Sequence, residues 1–256
     1  MPWFEHATSR IYYEESGAGD TVLLLPGFAG NIGELAALRE ALGASYRVIA
    51  ADLPGSGRSE PQPRAYTATY YAEDAGAFAA LLDHLATGPA HLLGFSDGGE
   101  VALLMAALTP GVVRSVVTWG AAGTLRQLGG PLLDALERVI DQPTPSLEPF
   151  RAYLIAAYGE ANARAMTRSF VAAVRAIIAG GGDISWSQAG AIACPVLLIT
   201  GEHDTFFAPP GAVAELATRI PGAEFLEAVG AGHGVHDDRP DWLARTILDW
   251  LQRATP

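Results

Sequence analysis

Gly94-Phe95-Ser96-Asp97-Gly98-Gly99 follows the apolar run Ala90-His91-Leu92-Leu93 and opens onto Glu100-Val101-Ala102-Leu103-Leu104-Met105-Ala106-Ala107-Leu108. The first flank has strand character and the second has helix character. A serine between them sits on a sharp turn that lifts its hydroxyl above the edge of a sheet. Side chains at positions 94 and 98 would collide with the adjoining strand and helix, so glycine at both fits a strained turn. The main-chain N–H of Asp97 starts the helix and faces the same side as the hydroxyl, where it can stabilise an oxyanion.

Outward from this turn, strand-length apolar runs alternate with helical patterns. Strands are expected at 21–25, 46–50, 91–94, 114–119, 195–200 and 224–227. Helices are expected at 33–42, 69–85, 98–108, 209–219 and 241–253. Continuous Val, Ile and Leu runs with helices between them predict a mostly parallel sheet covered on both faces. Residues 10–15 are expected to form an antiparallel edge strand. Between residues 121 and 192 the alternation stops, and three helical stretches at 128–140, 149–158 and 161–179 predict a helical cap inserted into the α/β layer. The expected division is therefore a core of residues 1–120 and 193–256 and a cap of residues 121–192.

A serine nucleophile needs a base, and the base needs an acid to fix its tautomer. Residues 195–200 run into Gly201-Glu202-His203-Asp204, and an acid at the carboxyl end of a parallel strand shares a rim with Ser96. Asp204 is the expected acid, with Glu202 as the alternative. Gly230-Ala231-Gly232-His233-Gly234 comes after the last strand, and its glycines let His233 reach inward as the base. His236 is the alternative. A metal centre built on His233, His236, Asp237 and Asp238 lacks the helical two-histidine spacing such sites use, so no metal and no cofactor is expected. A second oxyanion donor is expected in Pro26-Gly27-Phe28-Ala29-Gly30, from the N–H of Phe28. Phe95, Trp119 and Trp186, with the cap helices, are expected to line an acyl pocket.

Composition narrows the classes. The chain has 256 residues, half of them apolar, which suffices for a large core without disulfides. All 16 basic residues are arginine and the formal net charge is −12. That balance argues against nucleic acid, whose phosphates need clustered cations, and against an anionic membrane surface. The single cysteine, Cys194, precedes a proline and an apolar run, and a structural thiol is expected. No apolar leader or membrane-length stretch is present, and a cytoplasmic location is expected by default.

Taken in order, P-G-F, D-L-P-G-S-G-R-S, G-F-S-D-G-G, G-E-H-D and G-A-G-H make the chain resemble the α/β-hydrolase superfamily along nearly its whole length. Pro-Gly stands where many members have His-Gly, which leaves the main-chain donor intact. The serine at the turn sets it apart from the branches with an aspartate nucleophile. Ser96-Asp97-Gly98-Gly99 and Trp119-Gly120-Ala121 are most similar to the valacyclovir hydrolase (biphenyl hydrolase-like) branch. That resemblance implies a small-molecule ester substrate, and it implies that Asp97 binds the ammonium group of an α-amino acid ester. The alternative for Asp97 is a helix cap, where a carboxylate is favoured in any case. The same three catalytic groups also serve carbon–carbon bond hydrolases, lactonases, perhydrolases and acyltransferases, and slow ligand receptors of this fold.

Overall fold

A computed structural model describes residues 2–254. Among them, eight strands form one sheet in the order β1-β2-β4-β3-β5-β6-β7-β8. The strands are β1 Trp3–His6, β2 Ser9–Ser16, β3 Thr21–Leu25, β4 Arg47–Ala51, β5 Ala90–Phe95, β6 Val113–Trp119, β7 Val196–Gly201 and β8 Glu224–Ala228. From β4 to β8 every neighbouring pair is parallel, while β2 pairs antiparallel with both β1 and β4. The expectation of an edge strand at 10–15 is corrected, because β1 lies outside it. That strand has four residues and no apolar run, so nothing in its local pattern announces it.

Strand side chains alternate between faces, and the core divides accordingly. Leu23, Leu25, Leu92, Val116 and Leu198 pack against α2 Tyr70–His84, α3 Asp97–Leu108 and the helix Pro210–Arg219. Val22, Leu24, Leu93, Val117 and Ile199 face the other way, with Leu38 and Leu42 of α1 Ala36–Gly43 and Ile247 and Trp250 of the C-terminal helix Pro240–Ala254. Helix α1 begins three residues later than its apolar pattern suggests. Residues 31–35 are spent on turns closed by Glu34 N–H to Asn31 and Ala36 N–H to Gly33.

Between β6 and β7 the chain leaves the sheet and forms α4 Gly130–Glu137, α5 Glu148–Tyr158 and α6 Glu160–Ala179. Leu154, Tyr158, Ala163 and Met166 of α5 and α6 make a third apolar cluster with Val139, Ile140 and Ala29. Ala29 belongs to the loop after β3, so these helices dock onto the carboxyl rim of the sheet.

Cys194 is a free thiol packed at the core margin, and burial pushes it up to about 11. No helix among the described residues is long and apolar enough to cross a membrane.

Candidate active site

Ser96 occupies the turn between β5 and α3 with φ 50° and ψ −117°, a conformation that L-residues seldom adopt. Neighbours on every side hold it there. Its N–H donates to the carbonyl of Trp119 at 2.9 Å, and its carbonyl accepts the N–H of Glu100 at 3.0 Å. A Cβ at Gly94 would stand 2.2 Å from the Gly98 carbonyl oxygen, and one at Gly98 would stand 2.4 Å from that of Pro26. Both contacts are with backbone, so glycine is required at both places, as the turn's sterics predict.

The Ser96 Oγ lies 3.0 Å from Nε2 of His233, and Nδ1 of the same ring lies 2.6 Å from Oδ2 of Asp204. Asp204 is buried and also accepts the N–H groups of Phe207 at 3.1 Å and Ala208 at 3.2 Å. Burial alone would raise this carboxyl. The hydrogen bond and charge of His233, with the two N–H donors, outweigh burial and hold it below the usual carboxylate range. An ionised Asp204 can only accept, so Nδ1 of His233 carries the hydrogen, and the neutral form of the ring presents Nε2 to Ser96 as an acceptor. Three residues from three separate loops thus form one hydrogen-bonded line.

The alternatives to these residues lie elsewhere. Glu202 is exposed, and its carboxylate accepts the Gly230 N–H at 2.8 Å. Nδ1 of His236 accepts the indole N–H of Trp119 at 3.1 Å, its Nε2 lies 3.7 Å from the exposed carboxylate of Asp237, and neither nitrogen is paired with Ser96. Among the described residues no three His, Cys, Asp or Glu side chains gather in a way that could hold a metal ion.

A pocket of about 420 Å³ opens beside Ser96 and His233. Phe28, Phe95, Phe150 and Phe170 line it, with leucines of the inserted segment such as Leu133 and Leu136. The rings of Phe28 and Phe170 stack with centroids 3.7 Å apart. The carboxyl groups on its wall are those of Glu34, Asp97, Glu100 and Asp237, and no arginine is among its lining residues.

Two of the expected pocket residues are corrected. Trp119 is fully buried in the cluster beneath the sheet, on the face covered by the C-terminal helix. As the last residue of β6 it keeps the alternation of Val117, which points away from the inserted helices. Trp186 is buried at the base of the insertion, under the guanidinium of Arg219 at 4.2 Å, with its main-chain N–H on the Gly123 carbonyl. Neither lines the pocket, whereas Phe95 and Asp97 do.

Asp97 is the first residue of α3, and its carboxylate makes no helix cap. It accepts instead the hydroxyls of Tyr71 at 2.8 Å and Tyr70 at 3.1 Å, both from the start of α2. Burial pushes this carboxyl up to about 6, opposed by the two phenols and by Arg64. Arg64 forms a buried bidentate pair with Asp74 at 2.7 and 2.8 Å.

Glu100, one turn further along α3, is buried and accepts the N–H groups of Ala122 and Gly123, each at 2.9 Å. Burial raises it to about 7. An acid one turn inside an otherwise apolar helix is the available signal for this residue. The doublet Tyr70-Tyr71 gave no comparable signal, since aromatic residues at a helix start are usually core.

The alpha/beta hydrolase family model matches residues 22–246. The chain belongs to that family. The human serine hydrolase BPHL is 30% identical over 248 residues, covering 95% of this chain and 83% of its own length. The magnesium-chelatase 30 kDa subunit of Rhodobacter capsulatus is 32% identical over 259 residues, covering 91% of this chain and 87% of its own. The enol-lactonase of Burkholderia xenovorans LB400 superposes with a TM-score of 0.79 at 24% identity, covering 98% of this chain and all of that one. The last similarity concerns the fold. This alpha/beta hydrolase is a hydrolase close to the BPHL, valacyclovir hydrolase-like, branch.

Proposed function

We propose that this alpha/beta hydrolase cleaves carboxylic esters through an acyl-enzyme, with Ser96 as nucleophile, His233 as general base and Asp204 as the orienting acid. The observation that carries the reading is the line Ser96 Oγ–His233 Nε2–His233 Nδ1–Asp204, with steps of 3.0 and 2.6 Å. Both fall within the reach a base needs.

His233 Nε2 takes the hydroxyl proton as Ser96 Oγ bonds to the ester carbonyl carbon. The resulting oxyanion is held by the N–H groups of Phe28 and Asp97. His233 then returns the proton to the leaving alcohol. Water, deprotonated by the same nitrogen, attacks the acyl carbon and releases the acid, and Ser96 recovers its proton.

The finer part of the proposal concerns the substrate. Asp97 lies next to the nucleophile in the pocket wall, and its carboxylate meets no cationic side chain directly. A buried carboxylate stays ionised more readily beside a cation. The ammonium group of an α-amino acid ester supplies that cation, and the phenyl and leucine wall takes an apolar leaving group. The small-molecule substrate is accordingly an aminoacyl ester in preference to a simple acyl ester.

The test compares kcat/KM on p-nitrophenyl esters of an amino acid and of the matching carboxylic acid, for the parent chain and for Asp97→Asn. The expected outcome is an aminoacyl preference that Asp97→Asn abolishes while Ser96 still reacts with a fluorophosphonate probe. Equal ratios in both proteins would remove the ammonium role. Absence of probe labelling in the parent would remove the nucleophile.

A further inference from the structure

The loop after β3 carries a feature that the proposed chemistry leaves unexplained. Ala29 has φ +58°, the left-handed region that glycine enters freely and alanine enters at a cost. It is fully buried, and its carbonyl oxygen accepts two phenol hydroxyls, Tyr158 at 2.6 Å and Tyr153 at 2.7 Å. Both tyrosines belong to α5 of the inserted segment, more than 120 residues away in sequence. Each phenol is itself held. The Tyr158 oxygen accepts the Gly57 N–H at 2.8 Å, the Tyr153 oxygen accepts the Asn31 amide at 3.2 Å, and the Tyr153 hydroxyl is shared between the Ala29 carbonyl and the Glu34 carboxyl.

This carbonyl lies within a tight turn. Gly30 N–H donates to the Gly27 carbonyl at 3.0 Å, leaving Phe28 and Ala29 as the central residues. A positive φ at the second central position belongs to the turn type that glycine usually fills, and alanine is a poor choice for it. The Gly27–Phe28 peptide is trans and planar, so its N–H points opposite to its carbonyl. Fixing that carbonyl on Gly30 therefore fixes the direction of the Phe28 N–H. The turn also abuts the nucleophile, because a Cβ at Gly27 would stand 3.1 Å from the Ser96 Cβ.

We propose that Tyr153 and Tyr158 are positioning residues: they clamp Ala29 in its left-handed conformation and so aim the Phe28 N–H at the oxyanion. The inserted helices then do more than roof the pocket. They complete the oxyanion site, which is aligned only while α5 is docked. This inference rests on the proposed acyl transfer, in which Phe28 is a donor.

The experiment uses the full chain and measures kcat and KM on a p-nitrophenyl ester. Tyr153→Phe/Tyr158→Phe keeps both rings and removes both hydroxyls. It is expected to lower kcat by about 10- to 100-fold, short of the roughly 10²–10³ seen when an oxyanion donor is deleted outright, with KM within about twofold. Adding Ala29→Gly to that double variant is expected to restore most of kcat, because glycine holds the turn without the clamp. Ala29→Gly alone is expected to be near neutral.

Wild-type kcat in the double variant overturns the clamp, and so does a loss that Ala29→Gly leaves uncorrected. If the double variant does not fold, each single variant is read in the same way, with about a threefold loss corrected by Ala29→Gly. Ser96→Ala separates the two claims. If it keeps turning over, the acyl-transfer reading fails. If it is dead while the tyrosine variants are unchanged, the clamp alone fails.

Discussion

Trp119 donates its indole N–H to Nδ1 of His236 at 3.1 Å. An indole nitrogen can only donate, so His236 is held as the neutral tautomer with its hydrogen on Nε2. Burial lowers this ring's affinity for a proton, and the opposing charges of Asp237 and Asp238 do not outweigh it. His236 packs on Phe95 with ring centroids 4.5 Å apart, much as His233 does at 5.0 Å. Two histidines thus share one aromatic neighbour, and only His233 has a buried carboxylate at hydrogen-bond distance behind it, the Asp237 carboxylate near His236 being exposed and 3.7 Å away. His233→Gln is expected to lower kcat by about 10⁴ or more, whereas His236→Phe is expected to cost under about tenfold. Steady-state kinetics on a p-nitrophenyl ester decide it, and equal losses would mean the base is wrongly assigned.

Ser96→Ala is expected to lower kcat by about 10⁴ or more, leaving the residual rate that binding and oxyanion donors alone supply. The fold should survive, since the hydroxyl is not needed for the turn. The checks are ester turnover alongside an unchanged circular dichroism spectrum. Near-normal turnover would remove Ser96 from the chemistry.

Asp97→Asn is expected to reduce kcat/KM on aminoacyl esters by about 10- to 100-fold, the range for a hydrogen bond to a charged group. Neutral esters should change little. The pH dependence carries the same signature. Asp97 is raised to about 6, so KM for a cationic ester should fall as pH rises through that value. KM for a neutral ester should stay flat.

Legibility in the sequence tracked the range of the forces involved. The turn at Ser96 is imposed by contacts within a few residues of the motif, and its glycines could be read directly. His233 and Asp204 could be read because each comes after a strand on the same rim. The clamp on Ala29 could not be read, because it depends on where α5 lands after the whole chain has folded. Trp119 and Trp186 were misplaced for a related reason. Large aromatic residues near a site fit a pocket and a core equally well until strand register decides the face.

Stability should fall as pH rises from mildly acid to neutral. Glu100 and Asp97 are raised to about 7 and about 6 by burial. Each holds a proton in the folded chain at a pH where the unfolded chain has lost it, so folding binds protons in that window. Their contribution is fully present below the ordinary carboxylate value of about 4 and is lost as pH rises through 6 to 7. Asp204, held low, acts in the opposite sense and loses its contribution under strong acid. Melting temperature measured from pH 4 to 8 should therefore peak on the acid side. Glu100→Gln should flatten the upper part of that slope, and an unchanged slope would contradict this account.

Arg64→Met should destabilise the fold by about 3–5 kcal/mol, because Asp74 would be left buried without its partner. Arg64→Met/Asp74→Leu should recover much of that loss, as hydrophobic replacement of a whole buried pair often does. Urea denaturation of both variants is the measurement. A single variant as stable as the parent would show the pair to be dispensable.

The carboxylates on the pocket wall also act after the ester bond is broken. An ester arrives without negative charge on its acyl group, and the acid that remains carries one at neutral pH. The carboxyl groups of Glu34, Asp97, Glu100 and Asp237 surround that newborn anion, and no arginine is among the lining residues to retain it. Like charges at short range repel strongly where water is scarce. A simple carboxylic acid released in such a chamber meets no cation to hold it and should be a feeble inhibitor of the reaction that makes it, whereas an amino acid product still has its ammonium to offer Asp97.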